Sequence, residues 1–61
     1  MFNKYQTKVV RARGLRAGMV MYHGGEVASV VREPRRVTVE MVHGRTRYFY
    51  PTDGVRIYPN L

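Results

Sequence analysis

The clearest pattern in the chain lies in residues 36–42, RVTVEMV, where Val37, Val39 and Met41 alternate with Thr38 and Glu40. A two-residue period puts the three apolar side chains on one face of a strand and the two polar ones on the other, so a half-buried strand is predicted there. Shorter stretches of the same kind surround it. Residues 7–13 (TKVVRAR), 19–22 (MVMY), 26–32 (EVASVVR), 46–50 (TRYFY) and 55–58 (VRIY) each read as a short strand rich in β-branched or aromatic residues.

Turn chemistry falls between them. Gly14 and Gly18 frame a loop whose one large apolar residue, Leu15, is expected to tuck under and pin the loop to the core. His23-Gly24-Gly25 is a turn in which the glycine pair can supply positive φ at both central positions of a tight hairpin. Pro34 brings its fixed φ to the turn Glu33-Pro34-Arg35. His43-Gly44-Arg45 makes the next turn. Pro51-Thr52-Asp53-Gly54 breaks the fifth strand, and a single 3-10 turn fits there, before the last strand. No apolar period of 3.6 residues persists for ten residues, so no helix longer than one turn is expected. With no helix to cover it, the sheet must curl onto itself. The predicted fold is all-β: one domain over residues 1–61, residues 1–5 frayed, with five to six short antiparallel strands in a closed or nearly closed barrel.

This arrangement resembles the SH3-like small barrels, the group with Tudor, KOW and chromo-like modules. Ala12-Arg13-Gly14-Leu15-Arg16-Ala17-Gly18-Met19-Val20 resembles their A-x-x-L-x-x-G-x-x-V entry, where a long first loop leads into the second strand. Three successive hairpins follow over residues 19–50. The segment from Tyr50 to Ile57 then resembles the 3-10 turn before the final strand. The resemblance covers about residues 7–58. It implies a barrel fold but not proline-peptide recognition, because the chain has no Trp and its first loop is basic rather than acidic. Archaeal chromatin proteins with barrels of this size bind DNA through an exposed sheet face, an architectural analogy only. In size and basicity the chain also resembles small orphan proteins of actinobacterial phages.

Charge changes the picture from fold to partner. Eleven Lys and Arg stand against 4 Asp and Glu in 61 residues, a formal charge of +7. Arginines dominate, and a guanidinium grips phosphate with two hydrogen bonds and stacks on bases. Such a field on so small a body draws polyanions. Within HGRTRYFYP, residues 43–51, alternation assigns Phe49 inward and Tyr48 and Tyr50 outward. Arg47 shares the inward parity of Phe49 but lies near the strand start, so it is expected to escape over the barrel rim unless a bulge resets the register. Val55 and Ile57 of the last strand point in, with Arg56 and Tyr58 out. Tyr48, Tyr50, Arg56 and Tyr58, with Arg35, Arg36, Arg45 and Arg47 in nearby turns, then form an expected nucleic-acid surface if the fifth and last strands are neighbours. Lys4, Lys8, Arg11, Arg13 and Arg16 form a second basic patch, with Arg11 and Arg13 on one strand face.

Two function classes follow. One is a small basic protein that binds DNA or RNA through backbone phosphates with low sequence specificity. The other is a protein-interaction module, a phage-encoded effector of a host protein or a homo-oligomer, in which exposed Tyr and Arg act as anchors. The sequence offers neither catalysis nor a cofactor. Ser29 has no base beside it, Gly14-x-x-x-Gly18 lacks the Lys-Ser/Thr of a phosphate loop, and His23 and His43 read as turn residues rather than metal ligands. A pocket of several hundred Å3 is not expected in so small a domain. The absence of Cys, of a long apolar run and of a signal-like N-terminus fits a cytoplasmic protein.

Overall fold

The computed structural model describes residues 6–59. These form β1 (Lys8–Arg11), a 3-10 turn (Ala12–Gly14), β2 (Val20–Met21), β3 (Gly25–Arg32), β4 (Val37–Met41), β5 (Thr46–Phe49) and β6 (Gly54–Tyr58). All pairings are antiparallel, in one sheet of order β1-β6-β2-β3-β4-β5. Among the described residues there is no α-helix, and no helix is long and apolar enough to cross a membrane. The sheet is open: β1 and β5 are its two edges and do not pair with each other.

Curvature comes from β3. Its first residues pair with β2, as Met21 with Gly25 and Val20 with Glu26, and its later ones with β4, as Val27 with Met41 and Arg32 with Val37. The register shifts between Val27 and Ser29, a β-bulge that bends the strand. One long strand therefore belongs to both halves of the sheet. The inner faces of the halves share one core of Ala12, Leu15, Met21, Val27, Val37, Val39, Met41, Val55 and Ile57, with Val10, Met19, Val30 and Phe49 packed against it. No polar side chain among the described residues is buried.

The alternation expected in β4 holds, with Val37, Val39 and Met41 buried. Leu15 is fully buried, as a loop anchor must be. A second restraint on that loop was not anticipated: the Arg32 guanidinium donates to the backbone carbonyls of Arg13 (2.9 Å) and Leu15. Arg32 shares the inward parity of Val30 and reaches round the sheet end to hold the loop closed.

Three expectations need correction. The 3-10 turn follows the first strand instead of preceding the last. The backbone N–H groups of Ala12 and Arg13 donate to the carbonyls of Asp53 (2.8 Å) and Pro51 (3.1 Å), so the chain leaves β1 after Arg11 and buries Ala12. The first strand is therefore shorter than residues 7–13. The Pro51–Gly54 break is a plain turn: the Tyr50 N–H donates to Asp53 Oδ2 at 2.8 Å and the Asp53 N–H to the Tyr50 carbonyl at 3.0 Å. In the Gly24-Gly25 pair only Gly25 has positive φ, at 80°.

Candidate anion-binding groove

The β4–β5 hairpin sets the geometry. Gly44 has φ 98°, and the bonds Gly44 N–H to Met41 O (2.9 Å) and Met41 N–H to Arg45 O (2.8 Å) close a three-residue loop with glycine in the left-handed position. Register then follows: Thr46 faces Glu40, Arg47 faces Val39, Tyr48 faces Thr38 and Phe49 faces Val37. Phe49 packs on the core. Arg47 lies on the same side but stays exposed. Its guanidinium carbon sits 5.5 Å from the Phe49 ring centroid, so the stem covers the core's open flank while the charge remains in water.

Across that flank lies the β2–β3 turn. A Cβ built on Gly24 would stand 3.2 Å from an Arg47 guanidinium nitrogen, so the absence of a side chain there leaves the guanidinium room. His43 Nε2 is 3.0 Å from the Gly24 carbonyl oxygen. A carbonyl can only accept, so the ring carries a proton on Nε2 and ties the two turns together. Between them opens a cleft of about 650 Å3, lined by Tyr22, His23, Met41, His43, Arg45 and Arg47 with the two glycines. A smaller cleft of about 160 Å3 shares Tyr22, His23 and Arg47 and adds Arg56. Three arginines, two histidines and a tyrosine thus line one groove, and among the described residues no Asp or Glu lines it. Open clefts of this size were not expected from the chain length.

The surface expected from the sequence is divided. Tyr48 and Tyr50 are 63% and 73% exposed, but on the other side of β5. They gather with Arg36, whose guanidinium carbon lies 5.4 Å from the Tyr48 ring centroid and which pairs with Glu33 at 3.2 Å. Arg35 lies beyond them, in a cleft at the Glu33–Arg36 turn. β5 and β6 do not pair in the sheet, and although Arg47 and Phe49 meet Arg56 across the smaller cleft, Tyr48 and Tyr50 line a different one that neither Arg56 nor Tyr58 reaches. Arg56 points outward, as expected, and donates to Thr7 Oγ1 at 2.8 Å.

The second basic patch also separates. Lys8 and Arg16 meet at a cleft of about 420 Å3 that Tyr58 also lines. Arg11 instead donates to the Thr52 carbonyl at 2.8 Å. Arg13 does not share a strand face with Arg11, because it lies in the 3-10 turn. Lys4 and the fraying expected of residues 1–5 lie outside the described residues.

Sequence reasoning missed Tyr22. Its ring centroid lies 4.3 Å from that of His23, edge-on at 76°, and 5.5 Å from that of Tyr58. Its backbone N–H donates to the Arg56 carbonyl at 2.9 Å. The available signal was its position, since it stands between a strand and the His-Gly-Gly turn. Among the described residues, no group of three or more His, Asp or Glu side chains could hold a metal ion. No protein-family model, no curated protein and no solved structure matches this chain.

Proposed function

We propose that this protein is a small basic nucleic-acid-binding protein, a binder rather than an enzyme, that contacts backbone phosphates with low sequence specificity. The observation that carries the reading is the groove of Arg45, Arg47 and Arg56, edged by His23 and His43 and lined by no acid among the described residues. Neutralising phosphates there releases condensed counterions, which is the main source of nonspecific affinity. Contacts of this kind to phosphate oxygens are the same for any sequence, which is why weak sequence preference is proposed. The scaffold is an SH3-like barrel on this reading, supported by the β2–β3–β4–β5 meander, the bent β3 and the first loop pinned by Leu15.

A salt titration against random-sequence DNA and RNA is the direct test. Log affinity should fall linearly with log salt. Binding weaker than about 100 µM at low salt refutes the reading, because nonspecific binders reach about 10^-4 to 10^-6 M even at physiological salt.

A protein-interaction module is the second reading, favoured by Val31, Tyr48 and Tyr50 on the outer side of β3–β5. These are 55%, 63% and 73% exposed. Capture of one specific partner, from a host or a second copy of the chain, that survives nuclease treatment and high salt supports this reading over the first.

A further inference from the structure

We propose that the ligand is a single strand rather than a duplex, laid along a track from the Arg45–Arg47 cleft, over Tyr22 and Tyr58, to the Lys8–Arg16 cleft, with a base stacked on Tyr22. This rests on the nucleic-acid reading and deepens it.

The track follows from shared side chains. Tyr22 lines both parts of the arginine groove. Its ring centroid is 5.5 Å from that of Tyr58, with the planes tilted by 42°. Tyr58 in turn lines the cleft that holds Lys8 and Arg16. Cations therefore flank an aromatic pair on both sides. Tyr22 is 42% exposed, and its backbone is tied to β6 through the Arg56 carbonyl, so the ring is open to solvent on a fixed stem. Among the described residues neither cleft is lined by a carboxylate; Glu26 stands beside the track, across Val20 from Tyr58.

A chain of phosphates alone would be served by the cations. The rings between them add something only if the ligand can present a π face. A duplex keeps its bases inside the stack, whereas an unpaired strand can turn one outward onto a phenol. Cations before and after the ring hold the backbone on each side, so the stacked base needs no specific edge contact.

The test uses the full chain and three labelled ligands of about twelve nucleotides, within the roughly 4–16 nucleotides that small single-strand binders cover. These are oligo(dT), a strand of the same length with abasic sugars throughout, and a blunt duplex. Oligo(dT) should bind about tenfold more tightly than the abasic strand, which has the same phosphates, and more tightly than the duplex. Tyr22→Leu should shrink the preference over the abasic strand to less than about twofold while leaving the salt slope unchanged. The slope itself should approach about −3.5 if Lys8, Arg16, Arg45, Arg47 and Arg56 each neutralise one phosphate, at roughly −0.7 per contact for a single strand. With no Trp in the chain, tyrosine emission gives an independent readout. Oligo(dT) should quench it in the parent protein, and the abasic strand should not.

Equal affinity for oligo(dT) and the abasic strand overturns the stacking inference but leaves the phosphate reading standing. A preference for the duplex, or a preference for oligo(dT) that survives Tyr22→Leu, also overturns it. Failure of all three ligands to bind more tightly than about 100 µM overturns the function itself.

Discussion

β5 separates two surfaces that its sequence interleaves. On the side toward the core, Arg47 crosses the open flank beside Arg45, and no described acid lines the cleft they share. On the other side, Tyr48 stacks with Arg36, Arg36 pairs with Glu33, and Thr46 donates to Glu40 at 3.0 Å. The first surface holds cations with no described acid beside them. The second holds rings and charge that is largely balanced locally. A strand four residues long makes this division because its side chains alternate. Composition alone would merge the two, and a net charge of +7 says nothing about where attraction is strongest.

The sharpest way to break this comparison removes the same charge from each surface in turn. Arg45→Ala with Arg47→Ala should lower oligonucleotide affinity by about thirtyfold, on the order of 1 kcal/mol for each of two lost solvent-exposed hydrogen-bonding contacts. Arg35→Ala with Arg36→Ala removes the same charge from the outer side and should cost less than about threefold. Equal losses from the two pairs, read by fluorescence anisotropy at one ionic strength, would mean that bulk charge governs binding.

Next in size is a cation assigned to neither surface. Arg32→Met keeps an apolar stem but loses both carbonyl contacts to the first loop. It should reduce unfolding free energy by about 1–3 kcal/mol in urea titration, with no change in the salt slope of binding. A change in slope would place Arg32 at the ligand instead.

Gly44→Ala acts on both surfaces together. It forces a side chain into positive φ, at a cost of about 1–2 kcal/mol. The melting midpoint of so small a domain should fall by about 4–8 °C for each kcal/mol. No neighbouring atom stands within 4 Å of a Cβ placed there, so the loss is conformational and the preference for oligo(dT) over an abasic strand should persist.

Glu33→Gln is the smallest change. It removes the exposed ion pair with Arg36, and stability should move by no more than about 0.5 kcal/mol. A larger shift in thermal denaturation would show that the outer side depends on its charge balance more than an exposed pair can explain.

Much of the fold could be read from the chain, because burial and polarity alternate along each strand. Val37, Val39 and Met41 declare a face, Leu15 declares an anchor, and Phe49 between two tyrosines declares an inward ring. The rim position of Arg47 followed from the same parity. What could not be read was neighbourhood. Alternation tells which way Tyr58 points but not whether its strand pairs with that of Tyr48, since strand order depends on contacts far apart in sequence. The 3-10 turn was misplaced for a related reason. Pro51-Thr52-Asp53-Gly54 carries strong local turn signals, whereas the bend at Ala12 depends on carbonyls about 40 residues away, at Pro51 and Asp53. Arg32 looked like one more surface cation, because nothing in its immediate sequence reveals the two carbonyls that it reaches.

The unpaired edges of the sheet carry a hazard of their own. Exposed N–H and C=O groups on a terminal strand invite another chain to add itself, and charge is a common guard against it. Here one edge runs from Lys8 to Arg11 and the other carries Arg47, with Arg45 just before it, so two copies approaching edge to edge repel. A polyanion that neutralises these groups also lifts that repulsion. Mixtures with oligonucleotide should therefore turn turbid near charge equivalence and clear again when either component is in excess.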